Sequence, residues 1–147
     1  MEYVSDNTRE DRLYLKALGI RYERRPGLWL PIMWHLALRR YPGAMRELAD
    51  WLAGDRDQEP MGAPADGFSA AGLYRRAHRL GDALAAHNAA AGCFNRNDLS
   101  GYRQWLNMAA RRGDKDARKQ LRYFETRLPN LAACRVGRLR PKQRRDA

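Results

Sequence analysis

The chain has 147 residues, with 28 Lys and Arg against 17 Asp and Glu, a formal charge of +11 at neutral pH. That length suits one domain, and 44% hydrophobic residues supply a packed core, which excludes wholesale disorder in spite of the charge. Two cysteines, Cys93 and Cys134, exclude a disulfide scaffold and point to a reducing compartment. The longest apolar stretch, Gly27 to Leu38, contains Pro31 and His35 and is too short to span a bilayer. Neither a signal peptide nor a membrane helix is expected, and the expected location is cytoplasmic.

Strand signals are weak, since Val and Ile are scarce and no run alternates apolar with polar residues. Helical spacing dominates. A first helix is predicted from Arg9 to Arg24, started by Thr8 with Asp11 three residues on, with Leu15, Leu18 and Tyr22 on its apolar face and Pro26-Gly27 ending it. A second begins near Pro31, carries Ile32, Leu36 and Arg40 with Trp34, Ala37 and Leu38 widening the apolar face, and turns at Tyr41-Pro42-Gly43. The third, Gly43 to Leu52, places Met45, Leu48, Ala49 and Leu52 on one side and closes at Gly54.

Prolines, glycines and acids from Gly54 to Gly67 predict one long loop, taken as residues 54–68. Ser69 is expected to cap a fourth helix with Leu73, Ala77 and Leu80, ending at Gly81. Asp82 is expected to start an Ala-rich fifth through Ala91. After an Asn95–Asp98 turn, Ser100 is expected to cap a sixth with Tyr102, Trp105, Leu106 and Ala109. Gly113 ends it, and Asp114 opens a seventh with Ala117, Leu121 and Phe124 along one face, stopping before Pro129. The expected fold is therefore all-α: a short α-solenoid of antiparallel helix pairs, about seven helices, forming one domain over residues 1–130.

A pattern recurs along the chain. Its clearest copy has Trp105, Ala109, Ala110, Gly113, Ala117 and Leu121; the same frame fits Ala77, Gly81 and Ala85, and then Ala37, Arg40, Ala44 and Leu48. The equivalent alanines Ala44, Ala85 and Ala117 are 41 and 32 residues apart. This resembles the Sel-one-like repeat, a relative of the tetratricopeptide repeat whose unit is two antiparallel helices; Leu18-Gly19 followed by Tyr22 is similar to the start of such a unit. Arg40 stands where a unit has Gly, Gly101 where it has Ala, and the Asp55–Asp66 loop lengthens one period. The resemblance, covering Leu13 to Leu128, implies a non-enzymatic adaptor or regulator, many of whose bacterial relatives are exported. It transfers no site residue.

The charge is uneven. Residues 1–98 carry 14 basic and 13 acidic side chains, whereas residues 99–147 carry 14 and 4. The excess divides between a helical stretch bearing Arg111, Arg112, Lys115, Arg118, Lys119 and Arg122 and a basic tail, 131–147, bearing Arg138 and Arg140 among others. His35, His78 and His87 lack metal-ligand spacing, Cys93 reads as a core thiol, and no phosphate loop or nucleophile signature is present, so no catalytic residue, metal or cofactor is expected. Asp82, Asp114 and Asp116 are explained as charges at helix starts.

The basic third fits an acidic protein partner first, possible identities being a regulator's target or a neutralised toxin. A solvated face with a solubilising tail ranks second, and nucleic-acid phosphates third. Trp29, with Trp34 or Trp51, is the candidate aromatic contact for a partner, against the plainer role of filling grooves between helices.

Overall fold

The computed structural model of the protein describes residues 8–54 and 60–127. Among them are seven α-helices and no strand: α1 (Arg9–Tyr22), α2 (Trp29–Leu38), α3 (Pro42–Gly54), α4 (Ala70–Arg79), α5 (Ala85–Asn95), α6 (Leu99–Arg111) and α7 (Lys115–Arg127). The all-α expectation holds. The chain forms two compact units, the first containing α1 to α4 and running through Asp82, the second containing α5 to α7 from Ala83. Within each, every helix packs on its neighbour in sequence, α1 on α2, α2 on α3 and α3 on α4, then α5 on α6 and α6 on α7. Short connections force this arrangement, because a helix that ends in a tight turn returns beside the one before it.

Local chemistry sets most helix starts. Thr8 accepts the Asp11 N–H at 3.1 Å while the Asp11 carboxylate accepts the Thr8 N–H at 3.3 Å, the reciprocal capping box that the sequence predicts. Tyr41 donates its hydroxyl to the same carboxylate at 2.7 Å, and these bonds hold the Asp11 carboxyl below the ordinary carboxylate range. Ser69 caps α4 by accepting the Gly72 N–H. Two starts differ from expectation. α6 is capped by Asp98, whose carboxylate accepts the Gly101 N–H at 2.9 Å, so Ser100 falls inside the first turn. α5 begins at Ala85, because Asp82 lies in the turn closing α4: its N–H donates to the Ala77 carbonyl and its carboxylate accepts from Arg46.

The buried face is also rotated from the predicted one in α1, while in α2 the predicted Leu36 and Ala37 are buried. α1 buries Ala17, Gly19 and Ile20, leaving Leu15 and Tyr22 exposed. α2 buries Met33, Leu36 and Ala37, and Leu38 is exposed. In α3 the buried set Ala44, Met45, Glu47, Leu48 and Ala49 wraps most of the helix, as its position between α2 and α4 requires. Alanines dominate the α5 face, Ala85, Ala86, Ala89 and Ala90 being buried, which lets helices approach closely.

One turn recurs four times. Arg40, Gly81, Asn97 and Gly113 each take a left-handed conformation one residue past a helix cap, with φ of 65°, 99°, 58° and 95°. At each, that residue's N–H donates to the carbonyl three residues back and the next residue's N–H to the carbonyl five residues back, as in Gly113 to Ala110 and Asp114 to Ala109, the Schellman arrangement. Four positions further on stands a small residue, Ala44, Ala85, Gly101 or Ala117. Gly101 replaces alanine for a reason visible in the packing: an added methyl would run into the Asp98 carboxylate and the Cys93 Sγ. Arg40 bears the steric strain that glycine avoids at such a φ. Arg40→Gly is expected to stabilise the first unit by about 0.5–1 kcal/mol, read as a raised denaturant midpoint with an unchanged slope.

Candidate partner-binding face

On α7 the cations follow the helical period. Lys115, Arg118, Lys119 and Arg122 occupy positions i, i+3, i+4 and i+7, and all four are exposed, while Ala117 and Leu121 are buried on the opposite side. The stripe is about 10 Å long at 1.5 Å per residue. Exposed Arg111 and Arg112 at the end of α6 extend it around the Gly113 turn. Arg118 leans back to the Ala110 carbonyl at 3.4 Å. Lys115, Lys119, Arg122 and Arg111 have no ion-pair partner among the described residues.

The acids nearby are largely committed elsewhere. Glu125 accepts from Arg103 of α6 at 3.1 Å, with both side chains mostly buried. Asp114 accepts the Ala117 N–H at 3.0 Å and lies 3.2 Å from His87 Nδ1; these contacts, the backbone bond first, hold its carboxyl below the ordinary value. Asp116 alone is exposed on α7. Like charges three and four apart weaken a helix by a few tenths of a kcal/mol per pair, and Lys115 sits at the positive end of the helix dipole. The arrangement is thus mildly unfavourable for α7 alone and favourable toward an external anion. Arg138 and Arg140 lie outside the described residues.

Trp29 lies in the first unit, half-buried at the start of α2. The Arg21 guanidinium sits 4.3 Å from its ring centroid, and exposed Trp51 meets it edge-on at 6.0 Å. Trp34 joins neither; it packs near Phe68 with centroids 6.2 Å apart. Trp29 and Trp51 therefore share one face and Trp34 another.

Beneath that cluster is a charge network that the sequence reading missed. Glu47, only 6% exposed, accepts from Arg21 at 3.1 Å, from the Tyr22 hydroxyl at 2.7 Å and from Arg46 at 3.3 Å. Arg46 also donates from Nε to both Asp82 oxygens at 3.1 Å, and Tyr74 donates to Asp50 at 2.6 Å. Burial first, and the Glu47 carboxylate second, push the Tyr22 hydroxyl up to about 12. Every polar group in this network has a partner, so its chemistry is that of a structural tie between α1, α3 and the turn after α4.

No constellation for catalysis emerges among the described residues. His35 is exposed, His78 is buried in α4 and His87 is in α5. Cys93 is buried, and desolvation, then Asp98, push its thiol up to about 12, which keeps it from acting as a nucleophile near neutral pH. Among the described residues no group of three His, Cys, Asp or Glu side chains is placed to hold a metal, and no helix is long and apolar enough to cross a membrane. Comparison with family models, curated proteins and solved structures gives no match.

Proposed function

We propose that the chain is a non-enzymatic, cytoplasmic helical-repeat protein of the Sel-one-like kind that binds another protein, and that the face formed by the end of α6 and by α7 receives an acidic surface of that partner. The observation that carries this is the row of exposed cations on α7, held opposite the helix's buried side, with Glu125 of the same helix drawn off by Arg103 and Asp116 the one acid of α7 left exposed. The recurring left-handed turn followed four positions later by a small residue, buried in the case of Ala44, Ala85 and Ala117, supports the repeat assignment. Cations presented in this way steer an anionic partner and fix its register, with a marked dependence on salt.

The test is titration of the full chain with polyglutamate at low and at physiological salt, with duplex DNA as competitor. The expected result is binding that weakens as salt rises. A Lys115→Glu, Arg118→Glu, Lys119→Glu, Arg122→Glu variant is expected to lose at least tenfold in affinity, about 1.4 kcal/mol, with an unchanged helical circular dichroism spectrum. Failure of polyglutamate to bind, or its displacement by much lower concentrations of DNA, overturns the reading.

A further inference from the structure

One side chain on the α7 face is not a cation. Tyr123 is 50% exposed and continues the row Lys115, Lys119, Tyr123, Arg127, each four residues after the last, with Arg118 and Arg122 in the adjacent row. The core side of α7 is supplied by Ala117 and Leu121, so the Tyr123 ring is not needed to fill the interior. Its ring contact is with Arg127, whose guanidinium lies 5.5 Å from the ring centroid. Three other aromatics of the second unit contact one another, Phe94 with Tyr102 at 5.2 Å and Tyr102 with Phe124 at 5.1 Å, and Trp105 is buried in α6.

Resting on the reading above, we infer that the α7 face takes an acidic protein segment carrying one large apolar side chain, seated on the Tyr123 ring, with flanking carboxylates on Lys119, Arg122 and Arg127. Charge alone gives such a surface steering but little specificity, whereas an exposed tyrosine ringed by cations adds an apolar contact at low entropic cost, the usual character of an interface hot spot. The cations are complementary to carboxylates on either side of that contact. Asp116, the exposed acid of α7, is two turns away from Tyr123, and although it stands three residues before Lys119 it is remote from Arg122 and Arg127. A single-stranded nucleic acid is the less suitable occupant, because sequence-tolerant stacking uses successive open rings along a strand, and on α7 itself Tyr123 is the one exposed ring, exposed Phe94 lying on α5.

Three labelled probes of equal net charge distinguish the outcomes by fluorescence anisotropy with the full chain: an all-glutamate peptide, a glutamate peptide interrupted by one leucine, and a single-stranded oligonucleotide. The leucine peptide is expected to bind about tenfold more tightly than the all-glutamate peptide. Tyr123→Ala is expected to erase that difference while leaving all-glutamate binding unchanged, and Tyr123→Phe to preserve it. Equal affinity of the two peptides for the unaltered chain, or a preference that survives Tyr123→Ala, overturns the inference and leaves the acidic-partner function standing. Binding of neither peptide overturns that function and the inference with it. Tighter binding of the oligonucleotide than of both peptides overturns the proposed partner class.

Discussion

Glu47→Ala is expected to destabilise the first unit by about 3 kcal/mol, at the lower end of the range for breaking a buried ion pair, and to lower its melting temperature by on the order of 10 °C. The size follows from what the carboxylate leaves behind. Arg21 and Arg46 are 17% and 16% exposed, and the Tyr22 hydroxyl donates to Glu47. Without that acceptor Arg21 retains the Glu47 carbonyl at 3.1 Å, while Arg46 retains Asp82, which is why the loss stays at the lower end. Glu47→Gln keeps an oxygen but turns the other oxygen into a donor facing a donor, so an intermediate loss is expected. A Glu47→Leu, Arg21→Met double variant should recover part of the stability, since apolar replacement of both members removes the uncompensated charge. Urea unfolding followed by tryptophan fluorescence measures all three. A loss below about 0.5 kcal/mol for Glu47→Ala would mean that the network contributes no more than a surface ion pair.

This network was hidden in the sequence, although one sign of it was present. Glu47 lies three residues after Ala44 and one before Leu48, inside the arc that α3 buries, and a carboxylate there demands partners. Those partners, Arg21, Tyr22 and Arg46, come from α1 and α3, and proximity across 25 or 26 positions has no local signature. Features written in a few adjacent residues were legible: the Thr8 and Asp11 box, the Ser69 cap, the left-handed Gly81 and Gly113, and the cation period of α7. Asp82 misled because an acid after glycine reads as a helix start; the bond from Arg46 gives its carboxylate a different task. Leu15, Leu18 and Tyr22 matched a helical face, yet Ala17 and Ile20 define the buried one, since α1 meets only α2 at length and has apolar residues to spare. Tyr123 and Phe124 are adjacent aromatics of similar apolar character. The geometry separates them: Phe124 is three residues after Leu121 and seven after Ala117, on the buried side, which leaves Tyr123 outside.

Gly72→Ala is expected to destabilise the first unit by about 2–3 kcal/mol, opposite in sign to the gain of about 1 kcal/mol that alanine brings over glycine in an unobstructed helix. Gly72 is the third residue of α4, and the chain before the helix folds back over it. A methyl added there would overlap the Asp66 carbonyl oxygen and lie 3.1 Å from the Gly67 Cα. Both obstacles are backbone, so no rotamer change relieves them. Nor is that backbone loose: the Ser69 hydroxyl donates within reach of the Asp66 and Ala63 carbonyls at 2.8 and 2.9 Å, the Ala71 N–H donates to the Met61 carbonyl at 2.9 Å, and the Phe68 N–H donates to the Asp66 carboxylate at 3.1 Å. Accommodating the methyl means lifting residues 63–67 away and breaking the Ser69 bonds at about 1 kcal/mol each, in addition to the cap they orient. Gly54, at the end of α3 with nothing within 4 Å of an added Cβ, is the control. Gly54→Ala is expected to be neutral or slightly stabilising, and the contrast between the two in thermal unfolding isolates the packed loop from helix propensity. If both variants stabilise equally, residues 61–69 do not rest on α4 in solution, and the part of the predicted loop that this structure describes is as unconstrained as its prolines and glycines suggest.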